Sequence, residues 1–552
     1  MTDEKTQLPY ASMMPTGWSA GAAIVAGLVL LPLLSVVWIA FHPTEPVWDH
    51  LISTSLPRYL GNTLLVMISV GVLSAVIGTC TAWLVVMHRF PGVRWLEWAL
   101  LMPLAVPGYL GAYALVDFLE YAGPVQTGLR NLFGWSSAKD YLFPDIRSLH
   151  GAVLVLTASL YPYVYLLARS GFVEQSGAAH EVARALGANG QRRFFRVGLP
   201  LAWPAIAAGV AIVMMETIND FGTVEFFGIQ TLTTGIFTVW LEAGNAGGAA
   251  QIACVGLVLI MALIAVDKHA RRNMKFYRMT RQDRHQSATV LTGHKARIAS
   301  LICFIPFAVG FLFPVAVLLS HGITRPDRWL APGLADALFN TFWVGGAAAV
   351  LTVAAALFMV YGVRLSGRKL PRLLLPVTTI GYAAPGAVLA VGLLLPLAAF
   401  DNGFADWVYS ISGYDPGLIL TGGAGVLIYA YAVRFFALAQ GAADAAIGRI
   451  PPSLPMAART LGKGPGATLL FVYLPMIRGS IAVALLLVFV DCVKELPATL
   501  LLRPFNFNTL ATRAHEQASL EKIADAAPSA LLIVGVSLVA VALMARELIR
   551  KR

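Results

Sequence analysis

The sequence predicts an all-α, polytopic membrane protein of about twelve transmembrane helices, arranged as two homologous six-helix halves. Three observations carry that prediction. Mean hydropathy is +0.72, with 58% hydrophobic and only 12% charged residues, whereas roughly a quarter of the residues in soluble domains are charged. Apolar runs of about 18 to 25 residues recur along the whole chain, each long enough to cross a ~30 Å hydrocarbon core as a helix. Open strands would leave backbone groups unpaired in lipid, and the runs lack the short alternating pattern of a membrane β-barrel. Finally, the stretch 181–200, EVARALGANGQRRFFRVGLP, returns about half the chain later as 456–475, MAARTLGKGPGATLLFVYLP.

Taken in order, the first apolar run, 20–41, is too long for a signal-peptide core and is followed by His-Pro rather than a small-x-small site. It is expected to be the first span. Further spans are expected near 60–87, 96–118, 151–170, 201–221 and 249–267. The polar, basic stretch 268–297 then reads as a cytoplasmic linker. Spans resume near 299–320, 338–361, 372–398, 421–440, 478–496 and 528–545. Asn62-Thr63 recurs as Asn340-Thr341, and Pro107-Gly108 within the third span recurs as Pro385-Gly386. The expected domains are therefore 1–267, the linker 268–297, and 298–552. An even number of spans per copy gives both halves one orientation, about a pseudo-two-fold axis along the membrane normal.

The net charge of +11 follows topology. Most Lys and Arg fall in loops and tails on one side, the positive-inside bias, so both termini are expected in the cytoplasm and no nucleic-acid partner is implied. Cys80, Cys254, Cys303 and Cys492 lie in or beside apolar runs without a CxxC, which indicates neither a disulfide framework nor a zinc site.

Each repeated loop pairs a helix-forming turn with a glycine suited to a left-handed C-terminal cap, Gly187 and Gly462. A helix restarts at 191–197 with Arg192, Arg193 and Arg196, and Pro200 and Pro475 then open the next span, where a missing N–H is tolerated. The result is a helix-turn-helix knob. Ala183 and Ala185 would let another protein approach closely, with Glu181 and the arginines as charged handles. The two loops resemble the EAA motif of binding-protein-dependent ABC importer permeases: Glu-Ala-Ala, three residues, Gly, nine residues, Ile, one residue, Leu-Pro. Both match that spacing, with Val197 and Val472 at the Ile position. The resemblance implies the transmembrane fold of type I ABC importers. It makes Glu181, Ala183, Gly187, Arg192, Pro200, Ala457, Ala458, Gly462 and Pro475 the surface that docks into a cytoplasmic ATPase. The second copy departs from the pattern, because Met456 stands where Glu is expected. Gly462-Lys463-Gly464 falls far short of a phosphate loop, so ATP and Mg are expected on a partner subunit, with no cofactor bound by this chain.

The span after each loop carries acids, which is expensive in a membrane and marks function by default. Glu216 and Asp220 match Asp491 and Glu495 at the offset of the loops, each pair spaced i, i+4 on one helix face. With Glu225 beyond them and Lys494 as a counter-charge, they are the candidate substrate pathway. Carboxylates suit hard cations. The alternative is that they cap helix ends or pair with Lys494 or Arg503.

The stretches METINDFGTVEFFGIQTLTTGIF, KELPATLLLRPFNFNTLATRAHE and GPVQTGLRNLFG resemble ferric-iron importer permeases over nearly the whole chain. That resemblance implies Fe(III) delivered by a periplasmic binding protein, one fused permease in the inner membrane, and two copies of an ATPase. Related permeases for thiamine, phosphonate, polyamine and sulfate share much of the pattern. A secondary transporter of the major-facilitator kind also has six plus six helices, but it would leave two EAA-spaced loops unexplained. Residues 120–150 and 400–420 are candidate contacts for the binding protein.

Overall fold

A computed structural model describes residues 16–175, 177–272, 288–366, 369–379, 381 and 384–550. Residues 273–287, half of the basic linker 268–297, lie outside the described residues. Among the described residues ten helices are long and apolar enough to span a membrane. They are Gly17–Phe41, Leu56–Met87, Leu149–Val173, Gly190–Asn219, Ala246–His269, Gly293–Thr324, Leu334–Leu365, Gly386–Ser412, Pro465–Lys494 and Ile523–Leu543. Two bent pairs raise the total to as many as 12: Val93–Ala105 with Gly108–Phe133, at 92°, and Gly425–Arg434 with Phe436–Gly448, at 53°.

Three expectations are corrected here. The third span is not continuous through Pro107-Gly108, because a helix ends before the proline and a new one starts at Gly108. Pro107 has φ −56° and ψ 146°, and Pro385, before the helix that starts at Gly386, has φ −53° and ψ 144°. A proline disfavours the helical conformation in the residue before it, so the repeated Pro-Gly marks a repeated break. Next, the span expected at 372–398 runs instead as Gly386–Ser412. Lastly, the helix restarting in each loop is not separate from the following span. Gly190–Asn219 and Pro465–Lys494 are single 30-residue rods.

Each rod contains a π-helical turn, Phe194–Gly198 or Leu469–Tyr473, ending just before Leu-Pro. A third, Ala308–Leu312, ends just before Phe313-Pro314. Inside a helix a proline ring collides with the carbonyl four residues back. The wider π-turn absorbs that collision and keeps the rod unbroken.

Packing divides the chain into two compact units that do not follow the sequence halves. One comprises 1–45, 245–254 and 335–509, and the other 46–244, 255–334 and 510–552. In the second of these, Leu149–Val173 packs on Leu56–Met87 and on Gly190–Asn219. Gly78 and Gly209 permit the approach, since a Cβ on Gly78 would stand 2.7 Å from the Tyr165 nitrogen and one on Gly209 2.8 Å from the Val164 Cα. Lipid tails offer helices no hydrophobic drive to associate, so such close backbone contact carries the packing. In the other unit Gly17–Phe41 lies on Gly386–Ser412, with Gly392 directly under the Pro32 carbonyl. Trp18 stacks on Phe358 at 5.1 Å. A short parallel pairing of His88–Arg89 with Thr289–Val290 ties down the strand where the linker re-enters.

Candidate functional site

The two repeated loops have the same backbone. Helix Gly177–Ala185 closes at Gly187, φ +81°, and helix Ser453–Thr460 closes at Gly462, φ +77°. In the first, the N–H of Gly187 donates to Arg184 and that of Ala188 to Ala183, at 3.0 and 2.9 Å. In the second, Gly462 donates to Arg459 and Lys463 to Ala458, both at 3.0 Å. This reciprocal pair is the Schellman closure, which needs a left-handed residue at the glycine position. Neither glycine has a neighbour within 4 Å of a hypothetical Cβ, so backbone geometry alone selects it. Asn189 then caps the rod by accepting from the Arg192 N–H at 2.9 Å, whereas Gly464 stands at that place in the second copy.

Glu181 and Arg192 are exposed, Ala183 is half-buried, Ala457 is exposed and Ala458 is buried. Pro200 and Pro475 sit on the outside of the rods. An aliphatic side chain stands exposed at each tip: Leu186 is 83% and Leu461 80% accessible.

The first loop is fastened at its root. His180 Nε2 meets Gln175 Oε1 at 2.8 Å, and Gln175 Nε2 donates to the Gly198 carbonyl at 2.9 Å. Trp83 packs edge-on against Phe172 and Phe194 and tilts against His180. It lies so close to Gly198 that no side chain fits there. Burial, and then the nearby Arg193 guanidinium, hold the His180 imidazole below its ordinary pKa. In the second copy Tyr361 donates to the Pro465 carbonyl at 2.7 Å and packs against Tyr473.

At the far end of each rod stands a carboxylate. Asp220 and Glu495 are each the first residue past the helix, with extended backbones (φ −68°, ψ 131° and φ −68°, ψ 117°). The expectation that each acid pair shares one helix face is therefore corrected: Glu216 and Asp491 lie on the rods, while Asp220 and Glu495 lie beyond their ends. Asp220 accepts from the Thr223 and Val224 N–H groups at 3.0 and 3.2 Å and from the Thr223 hydroxyl at 2.9 Å. Glu495 accepts from the Ala498 N–H at 3.1 Å and from Arg434 Nε at 3.0 Å, in a pair where both side chains are at most 10% accessible. Asp491 pairs with Lys494 at 3.0 Å, and Glu225 is exposed. Arg503 donates to Asn508. Among the described residues no three His, Cys, Asp or Glu side chains converge to hold a metal ion.

Asn62 donates to the Gln230 carbonyl at 2.8 Å and Asn340 to that of Asn508 at 3.0 Å. The repeated Asn-Thr thus clamps the hairpin that follows each carboxylate. Two buried ion pairs, Arg434–Glu495 and Arg169–Glu97, went unnoticed in the sequence, although an arginine inside an apolar run carries the same warning as an acid there. The buried pair of Tyr113 and His515, at 2.8 Å, left no sequence signal, because its members are hundreds of residues apart.

Residues 67–275 match the family of inner membrane components of binding-protein-dependent transport systems. The chain is 26% identical to an Fe(3+)-transport system permease protein, FbpB 2 of Haemophilus influenzae, over 94% of this chain and 96% of the relative. It is also 26% identical to the molybdenum transport system permease ModB of Escherichia coli, over 35% of this chain and 84% of that protein. The sulfate transport system permease CysW of Escherichia coli matches at 26% over 40% of this chain and 76% of its own length. The matched segment spans the first loop and its rod, and the likeness to the Fe(3+)-transport permease runs nearly end to end.

Proposed function

We propose that the chain is the fused permease of an ATP-driven importer that carries Fe(III) inward from a periplasmic iron-binding protein. Two copies of a cytoplasmic ATPase dock on the two loops and supply ATP and Mg, and both termini of this chain face the cytoplasm. The observation that carries the reading is the repeated loop-and-rod. Each Gly-capped knob is continuous with a 30-residue rod, about 45 Å at 1.5 Å per residue, tipped by a carboxylate. A push on a knob reaches the far end of such a rod without a hinge to dissipate it. The end-to-end likeness to an Fe(3+) permease supports the cargo, as does the affinity of carboxylate oxygens for hard cations.

ATP binding draws the ATPase copies and their knobs together, the cavity opens toward the loaded binding protein, and hydrolysis resets it. Each partner must bind one conformation more tightly than the other, since equal affinity would shift nothing. The test is uptake into proteoliposomes holding the chain with its ATPase and loaded binding protein, with Fe(III), molybdate and sulfate as alternative cargoes. ATP-dependent entry of Fe(III) is expected. Entry of an oxyanion instead, or Fe(III) uptake driven by a proton gradient without ATPase, would overturn the reading.

A further inference from the structure

We propose that the cation is handled by one unit only, passing along a relay of Glu225, Asp220, Tyr113 and His515, while the second copy of the carboxylate is closed off by its own cation. The proposal rests on the ferric reading above and assigns the residues that would carry it. All four donors belong to the unit of 46–244, 255–334 and 510–552.

Glu225 is exposed. Among the described residues Asp220 is held by N–H and hydroxyl donors and by no cation. Tyr113 is wholly buried, with its hydroxyl 2.8 Å from His515 Nδ1. The aromatic rings bordering the acids bring the four together: Phe226 contacts Tyr113 at 4.6 Å and Phe221 contacts His515 at 6.1 Å. Both carboxylates lie within electrostatic range of the Tyr113 hydroxyl. Gly108, at the start of the helix that carries Tyr113, packs directly against the Asp220 turn, since a Cβ there would stand 2.8 Å from the Thr223 hydroxyl and 3.5 Å from an Asp220 oxygen.

At the equivalent positions the other copy carries different residues. At the offset that pairs Gly187 with Gly462, Glu225 falls on Leu500 and Asp220 on Glu495, which Arg434 neutralises. At the offset that pairs Gly108 with Gly386, Tyr113 falls on Val391.

Phenolate and carboxylate oxygens suit a hard trivalent ion. When Fe(III) binds the Tyr113 oxygen, the phenol O–H bond breaks, an Fe–O bond forms, and the proton passes along the existing hydrogen bond to His515 Nδ1, the imidazole carrying its own proton on Nε2. No oxidation or reduction is involved. Donors strung in series rather than gathered into a chelate fit a transit path, where an ion must leave as readily as it enters.

The test uses the full complex with its ATPase and binding protein. Fe(III) added as its nitrilotriacetate complex to the purified wild type should produce a visible phenolate-to-iron charge-transfer band, absent in Tyr113→Phe. Glu225→Gln, Asp220→Asn and Tyr113→Phe should each lower ATP-dependent Fe(III) uptake several-fold with ATPase co-purification unchanged, while Leu500→Ala and Val391→Ala leave uptake intact. Glu225 is exposed, so its variant remains informative if a buried one misfolds. Wild-type uptake in Glu225→Gln and Tyr113→Phe, or a band that survives Tyr113→Phe, would overturn the relay. Absence of any Fe(III) uptake by the wild type would instead overturn the ferric reading on which the relay depends.

Discussion

Arg434 and Glu495 show what a single residue decides here. Both are nearly inaccessible and joined at 3.0 Å, so neither charge has water to fall back on. Removing one partner strands the other, which costs about 3–5 kcal/mol, whereas replacing both with apolar or neutral groups of similar size is far milder. Arg434→Met is therefore expected to lower the unfolding temperature in detergent sharply, and Arg434→Met combined with Glu495→Gln to recover most of the loss. An additive double variant would contradict this coupling. Asp220, at the equivalent place, has no such cation among the described residues, and Asp220→Asn keeps its shape and an oxygen for the Thr223 and Val224 N–H groups, with the Thr223 hydroxyl then accepting from the new amide. The loop glycines were legible as turn residues from their place after a helical run. Gly198 was not, because its requirement is the Trp83 ring, which only the fold brings beside it.

At the level of elements, the loops and rods look alike but are anchored by different chemistry. His180 is wedged against Trp83 and Gln175, and Pro455 occupies the matching place in the second copy. Burial and Arg193 lower the His180 pKa, so the unfolded loop binds the proton more readily than the packed one. The packing contribution is then complete above the ordinary histidine value of about 6.5 and is lost as pH falls below it toward the depressed folded value. Hydrogen exchange across 177–189 is accordingly expected to quicken between neutral pH and pH of about 5.5, after correction for intrinsic rates, with 453–464 unchanged. His180→Gln should abolish the pH dependence, and equal behaviour of both loops would contradict the assignment. Hydropathy placed most spans because long apolar runs have few alternatives in lipid. It missed the breaks at Pro107 and Pro385, since a window average passes over a local backbone constraint. It also missed the fusion of loop helix and span, because a proline reads as a boundary unless a π-turn is foreseen.

For the whole molecule, duplication and packing are different partitions. The repeats in sequence pair 181–200 with 456–475, yet the compact units draw 1–45 together with 335–509, and 510–552 together with 46–244. Nothing in hydropathy encodes which apolar face meets which, so the repeat was legible and the exchange of segments was not. The machine was legible from motif spacing, because a docking knob must keep its length and glycine wherever it occurs. The cargo was less so, because carboxylates that cap helix ends and carboxylates that meet a cation have the same sequence. Met456 opposite Glu181 also makes the two knobs chemically unequal, while Leu186 and Leu461 keep the same exposed apolar tip. The central claim is that one chain presents two sockets to a separate motor, and the native mass of the complex purified with its ATPase tests it most directly. Two ATPase copies per chain are predicted for the wild type, with the assembly disrupted when Leu186→Glu and Leu461→Glu are combined and the membrane domain still folded. A double variant that retains both copies would contradict the account.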